Sequence, residues 1–296
     1  MAVKGINTRK AALPGLFLGA AGIAFAPIFV RLSPLGPSAT AFWRILLALP
    51  VFIAWHLRTS GKGGNGGIVS LRGYLVFLIP GLFFAGDLAV WHWSILFTTV
   101  ANATLLANFA PVFVTLGAFL LFRKRPSLRF LFGMILGLCG ATLLMKGSLN
   151  LGIRNVKGDA LGILTAVFYG GYILSVNRLR RNYSTPMIMA FGGAACAAAL
   201  LVISVASGEG LIAGTWKGWL VLFGLAMVSQ VGGQGLIAWS LAYLPAPFAS
   251  VSLLLQPVLA ALFGWMILGE ALGAVQAAGG MIILTGILLS RSGSKI

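Results

Sequence analysis

Long apolar stretches alternate along this chain with short polar joints, and the alternation repeats ten times. Crossing the hydrocarbon of a bilayer takes about 20 apolar residues as helix, because lipid leaves no partner for an open backbone polar group. The qualifying runs are Leu13–Arg31, Thr40–His56, Gly73–Phe97, Asn102–Phe122 and Leu128–Met145, then Asp159–Arg178, Pro186–Ala206, Trp216–Tyr243, Pro247–Leu268 and Leu272–Leu289. They predict an all-α integral membrane protein of ten transmembrane helices. The third and fourth runs nearly merge, as do the eighth and ninth, so each pair is read as a helical hairpin. The turns fall at Thr98–Ala101 and Leu244–Ala246.

The pattern also repeats on a larger scale. Trp93-Ser94 recurs as Trp239-Ser240, Pro111 as Pro257, Gly133 as Gly279 and Gly140 as Gly286, each 146 positions later. Arg31-Leu32 returns as Arg178-Leu179 after 147, a one-residue slip. The repeating unit is therefore five helices: residues 1–150 form the first copy and 151–296 the second, within one structural domain. An odd number of crossings sends the second copy into the membrane from the opposite side. The result is an inverted repeat, which places a binding site near the midplane between the halves. Gly15, Gly19 and Gly22, and Gly133, Gly137 and Gly140, stand three or four residues apart. Helix backbones are expected to approach closely there.

Composition removes other classes. The chain is 59% hydrophobic and only 8% charged. A soluble protein is about 25% charged, so this chain is not one. A net charge of +17 in a soluble chain would suggest nucleic acid. Here the basic residues sit in the joints, where they set topology and meet anionic head groups, so the expected partner is the lipid bilayer and no nucleic acid. The N-terminus, the even-to-odd joints and the C-terminus carry fifteen of the 21 Lys and Arg; the other side carries five, and Arg44 lies inside the second run. The positive-inside rule then predicts cytoplasmic termini and a multi-pass protein of the inner (plasma) membrane. The first apolar run, about 18 residues, exceeds the core of a signal peptide. Cys139 and Cys196 lie in separate runs. They lack disulfide or metal-ligand spacing, so neither metal nor cofactor is expected. Gly61–Gly67 (GKGGNGG) lacks the Lys-Ser/Thr ending of a phosphate loop and reads as a flexible connection.

Chemistry concentrates around one carboxylate. Asp87 stands alone deep in an apolar run. A charge at a helix centre costs on the order of 2.5–3.5 kcal/mol, so it is expected to face the bundle or a water-filled cavity. Trp91, Ser94 and Thr98 follow on the same helical face. The fourth run answers with Thr104, Asn108, Pro111 and Thr115, and the sixth with Thr165, Tyr169 and Tyr172. Such faces suit a small amphipathic solute. Asp87 is assigned to a substrate ammonium, Asn108 to a polar head, and Trp91, Tyr169 and Tyr172 to the side chain. Gln234, which shares a face with Gln230, is a further candidate. On an ideal helix Gln256 points away from the face of Pro257. Pro111 and Pro257 each remove a backbone hydrogen bond mid-span and are the expected hinges of a gate. The carboxylate has no repeat partner, since Gly233 holds its place in the second copy. Catalysis finds little support: no catalytic residue is assigned, and Asp87 and His92 lie about 140° apart around a helix.

The segment ANATLLANFAPVFVTLGAFLLFRKRPSLRFLFGMILGLCGATLL and its partner PAPFASVSLLLQPVLAALFGWMILGEALGAVQAAGGMIILTGILL resemble the paired repeat endings of the drug/metabolite transporter superfamily, EamA family. The Gly269-Glu270 turn fits that family, whereas the first copy has Arg123-Lys124 there. The resemblance, most marked to exporters of aromatic and neutral amino acids, covers about residues 10–290. It implies ten helices around a central cavity lined by the first, third, fourth, sixth, eighth and ninth. It implies export of such amino acids and related metabolites by alternating access. Carried over by position, Gly86-Asp87, Asn108 and Tyr169 fall on the cavity wall. The stretch Gly22–Pro27 (GIAFAP) lacks the tryptophan the family often has in its first helix. Sugar-phosphate, nucleotide-sugar and drug-cation carriage stand as alternatives within the superfamily, and an intramembrane enzyme as the alternative outside it. Proton antiport and facilitated diffusion suit the sequence equally.

Overall fold

In lipid the backbone must satisfy its own hydrogen bonds, and it does so here by helices throughout the described residues. A computed structural model describes residues 2–60, 71–98, 100–146, 156–268 and 273–294. The Gly61–Gly67 connection, Thr99 in the first hairpin turn, Arg154 and the Gly269-Glu270 turn lie outside them. Among the described residues ten helical spans are long and apolar enough to cross a membrane. Span 1 is Lys10–Leu32, span 2 Pro37–Thr59, span 3 Leu75–Phe97, span 4 Asn102–Phe122 and span 5 Leu128–Met145. Span 6 is Val156–Leu179, span 7 Thr185–Ala206, span 8 Trp216–Ser240, span 9 Ala246–Met266 and span 10 Ala274–Gly293. The ends differ from the expected ones by a few residues, as at Gly293 against Leu289.

The inverted relation can be read from glycine contacts. Spans 5 and 10 cross where neither has side chains. A Cβ on Gly133 would lie 2.5 Å from Ser290 N and 2.7 Å from Gly286 O. Its repeat partner Gly279 would meet Leu144 N at 2.5 Å and Gly140 O at 2.8 Å. Shifting 290 and 286 by 146 gives 144 and 140, so the two contacts are one contact seen twice. Such an exchange, in which i touches j while the partner of j touches the partner of i, is the mark of a two-fold axis between the copies. Close backbone approach through glycine is how membrane helices gain dispersion contact in a solvent as apolar as themselves.

Two three-helix groups flank this axis. Span 6 packs on spans 3 and 4, and span 1 packs on spans 8 and 9. Spans 2 and 7 pack together and close one side. Spans 4 and 9 touch through Ala110–Phe122 and Ala246–Ser252, the halves nearer the termini. On that side Ala12, Leu16, Val114, Ala118, Leu174, Leu244 and Phe248 join one buried core between the groups. Burial of this kind contributes about 25 cal/mol per Å² of apolar surface where water is the alternative solvent.

Among the described residues four spans are interrupted, span 1 at Phe25, span 2 at Leu47–Ala48, and spans 4 and 9 at matching places. Span 4 breaks between Ala107 and Ala110 and span 9 between Ser252 and Leu255. Pro111 and Pro257 follow each break, and i→i+3 bonds replace the helical pattern: Phe109 N to Leu106 O at 3.1 Å, and Leu254 N to Val251 O at 3.1 Å. A proline without an N–H cannot complete the turn before it, which is why both breaks sit there. In span 8 the backbone widens into a π-helix over Leu225–Gln234.

Candidate functional site

Asp87 leaves the middle of span 3, one turn beyond Phe84 and one before Trp91 on the same face, and all three reach a single cavity. The cavity measures about 130 Å³. At about 10–15 Å³ per water that is space for on the order of ten waters, or a solute of similar heavy-atom count. The other walls are Ile23, Ala24, Ala26 and Pro27 of span 1, Thr104, Asn108 and Pro111 of span 4, and Thr165 and Tyr169 of span 6. Gln234 of span 8 and Ser250, Gln256 and Pro257 of span 9 complete it, with Arg44 entering from span 2. Of the site and hinge positions assigned from sequence, Asp87, Trp91, Tyr169, Gln234, Pro111 and Pro257 all line this cavity.

Asn108 also lines it, and its Nδ2 donates one hydrogen back to Thr104 O at 2.9 Å on its own broken helix. Its Oδ1 and the second Nδ2 hydrogen are what it can offer a solute. Tyr172 is the exception. It does not reach the wall; it lies buried behind it, stacked on Phe84 at 4.6 Å and on Tyr169 at 6.0 Å, with its hydroxyl donating to Met189 Sδ at 3.7 Å. Three residues past Tyr169, it turns toward span 7 and stiffens the aromatic wall from the rear.

Polarity in the cavity is sparse and directional. Asp87 is buried, and among the described residues no cation stands within 4.0 Å of it, although Arg44 attracts it at longer range. Arg44 is 4% exposed, donates from Nε to Gln230 Oε1 at 3.0 Å, and lies 5.8 Å from the ring centre of Phe84. The amides of Gln234 and Gln256 stand beside the Tyr169 hydroxyl, and their Nε2 atoms, like the Thr104 hydroxyl, have no hydrogen-bond partner in the protein. A buried donor without a partner costs about 1–3 kcal/mol, so these groups gain from any rotation that brings them to a partner. His92 takes no part: its Nδ1 donates to Leu88 O at 2.5 Å and its ring is buried away from the cavity wall. Arg44, Gln256 and Ser250 are the polar wall residues that helical spacing did not assign to a site. Arg44 is visible in the sequence as the lone cation inside a span; Gln256 is hidden because its helix is broken at Leu253–Leu254.

Both ends of the cavity are braced. At the end away from the termini, Asp159 Oδ1 accepts from Thr98 Oγ1 at 2.8 Å and from Asn102 Nδ2 at 3.1 Å, and Ser94 Oγ donates to Gly158 O at 2.7 Å. Nearby Glu209 caps the start of span 2, accepting from Ser38 N at 3.2 Å and Ala39 N at 2.8 Å. There a carboxylate meets the positive end of the helix. At the terminal end, Asn177 Nδ2 donates to Leu241 O at 2.6 Å and Leu244 O at 3.2 Å, closing the last turn of span 8. Arg180, just past span 6, donates to Tyr183 O; burial pulls its guanidinium below the ordinary value, with Tyr243 acting in the opposite direction. Among the described residues no three His, Cys, Asp or Glu side chains cluster as metal ligands would.

The comparisons with known proteins agree with this architecture. A solved crystal structure superposes with a TM-score of 0.79 at 19% identity, over 97% of this chain and 100% of that one, a likeness of fold. An uncharacterized transporter of Archaeoglobus fulgidus is 25% identical over 272 residues, 90% of this chain and 91% of that protein. The pseudopaline exporter CntI of Pseudomonas aeruginosa is 25% identical over 228 residues, 77% of this chain and 78% of the exporter. The model of the EamA-like transporter family matches twice, at residues 10–146 and 156–292, once on each run of five spans. With ten apolar spans, a doubled family match and relatives that are transporters, this multi-pass integral membrane protein belongs to the EamA-like transporter family.

Proposed function

We propose that the chain exports aromatic and other neutral amino acids, and related small amphipathic metabolites, by alternating access around the cavity. The observation that carries this reading is Asp87: one carboxylate with no cation within 4.0 Å among the described residues, sharing a mostly apolar wall with Trp91 and Tyr169. An ammonium gains from a buried carboxylate, and the aromatic rings accept the apolar part of the same solute. Gln234, Gln256 and Thr104 stand on the same wall, and rotation of their side chains brings their buried, unpartnered donors to its polar head. A dianionic phosphate finds one guanidinium there with a carboxylate on the same wall, which weighs against sugar phosphates.

The terminal side, with fifteen basic residues to five, is taken as the cytoplasmic side of the inner membrane. The cavity then lies above a packed apolar core on the cytoplasmic side, the arrangement of an outward-facing state. Pro111 and Pro257 serve as the hinges about which spans 4 and 9 exchange the half in contact for the half apart. Export is also the direction in the name of the Pseudomonas aeruginosa relative.

The test is efflux from liposomes holding the purified full chain and a panel of neutral amino acids, with and without a pH gradient. Asp87→Asn is expected to lower the rate at least about tenfold, a loss of about 1.4 kcal/mol of transition-state stabilisation. Its apparent melting temperature should hold or rise, since a costly mid-membrane charge is removed. Undiminished transport by this variant at every pH and under any imposed gradient defeats the carboxylate role.

A further inference from the structure

Binding of an ammonium at Asp87 leaves Arg44 unused. An arginine at mid-membrane is costly and is normally paired with an anion or with backbone carbonyls. Arg44 has neither arrangement. Among the described residues no carboxylate stands within 4.0 Å of it, and only its Nε has a hydrogen-bond partner, Gln230 Oε1 at 3.0 Å. The side chain lines the cavity, so that space lies beside its fork.

The support around it is specific. Gln230 fixes one edge of the guanidinium plane from the π-helical stretch of span 8, a backbone form that recurs at functional sites. Phe84 holds one face at 5.8 Å. Phe84 and Asp87 are three residues apart on span 3, hence about one turn along the same face. A cationic fork and a carboxylate thus border one cavity within about a helical turn, without closing on each other.

We propose that Arg44 is the specificity residue for the anionic end of the solute: its Nη pair binds a carboxylate while Asp87 binds the ammonium. The inference rests on the transport reading of this cavity and narrows it to solutes carrying both charges on neighbouring atoms. A guanidinium offers two parallel donors at carboxylate spacing, which lysine cannot. Without solute the two charges attract each other across the cavity; the zwitterion replaces that long-range attraction with two direct contacts. Bare amines leave Arg44 unanswered, and bare acids leave Asp87 so.

Four probes that share the phenylethyl body separate the ends: phenylalanine, phenylalaninamide, 2-phenylethylamine and 3-phenylpropionate, each tested for efflux from liposomes holding the full chain. Wild type is expected to move phenylalanine at least about tenfold faster than the amide, since sites with buried polar groups reject analogues that leave those groups unpaired. Arg44→Gln should bring that ratio to within about twofold by losing phenylalanine transport while keeping the amide, and Arg44→Lys should restore part of it. A variant in which all rates fall together, with the ratio unchanged, makes Arg44 a structural tie to span 8 and overturns the proposal. Should Arg44→Gln fail to fold, wild type decides alone: equal rates for phenylalanine and its amide overturn it. Wild type that moves none of the four overturns the transport reading and this inference together, whereas transport of amine and amide as fast as phenylalanine overturns only the role of Arg44.

Discussion

Two regions of the molecule are copies of one another, and they have been treated differently. Where spans 5 and 10 cross, the repeat is kept almost to the atom: the approaches at Gly133 are 2.5 and 2.7 Å, and those at Gly279 are 2.5 and 2.8 Å. At the cavity the repeat is broken. Span 3 carries Asp87 on its wall, while the matching position of span 8 is Gly233, whose backbone lies against span 1. A Cβ on Gly22 would stand 2.9 Å from Gly233 Cα, and one on Gly233 would stand 2.9 Å from Ile23 N. Span 8 also widens into its π-helical stretch, which span 3 does not do at Asp87. Symmetry is retained where two helices need only touch and lost at the cavity, as the proposed binding of a solute in one orientation requires. One carboxylate and one guanidinium give the cavity a direction that a symmetric pair would cancel.

The severest way to break this comparison is to impose symmetry on the second copy. Gly233→Asp puts a charge into a helix crossing with no room for a Cβ. It is expected to leave no monodisperse protein after extraction from membranes, because overpacking adds to an unpaired mid-membrane charge. Asp87→Asn tests the same position in the first copy and is expected to spare the fold while lowering transport. If Gly233→Asp folds and transports normally, the two positions are equivalent and the asymmetry of the site has no function.

A smaller and sharper test concerns the region where symmetry is kept. Gly133→Ala and Gly279→Ala make the same intrusion on opposite sides of the axis, so they should lower the apparent melting temperature equally. The expected cost is about 1–3 kcal/mol each, the range for a methyl forced into a packed crossing. Gly280→Ala, whose Cβ would meet only Val258 Cγ1 at 3.6 Å, serves as a control with little effect. Unequal losses at Gly133 and Gly279 would mean that the two-fold axis is a feature of the backbone trace and carries no shared energetics.

The sequence was most legible where a requirement acts along one dimension. Apolar length defined the spans, glycine spacing marked helices that approach closely without naming their partners, and Pro111 and Pro257 marked the breaks. The site was less legible because its residues depend on those breaks. Gln256 points away from Pro257 on an ideal helix, yet both reach the cavity once span 9 is interrupted at Leu253–Leu254. Tyr172 shares a helical face with Tyr169 within the width that periodicity allows, but only the neighbouring Phe84 decides which ring meets the cavity. The π-helical stretch that aims Gln230 at Arg44 has no periodicity of its own to be read. Glu209 reaches span 2 at Ala39, 170 positions away, a contact that no local pattern encodes.

The smallest predicted effect concerns the two hairpin turns. At the first, Asp159 ties Thr98 and Asn102 to the start of span 6 by hydrogen bonds of 2.8 and 3.1 Å. At the second, the repeat places Leu244 and Phe248 where Thr98 and Asn102 stand, and both join the buried core that Ala12 completes. One joint is polar and partly open; the other is apolar and closed. Asp159→Asn should therefore cost about 1 kcal/mol, since hydrogen bonds at a half-exposed carboxylate are largely replaced by water. Leu244→Ala should cost about 2–5 kcal/mol, as a truncation inside packed core does. Apparent melting temperatures of the two variants decide the matter. A loss at Asp159→Asn as large as at Leu244→Ala would show that both joints are equally committed, and would leave the cavity as the only place where the copies differ in kind.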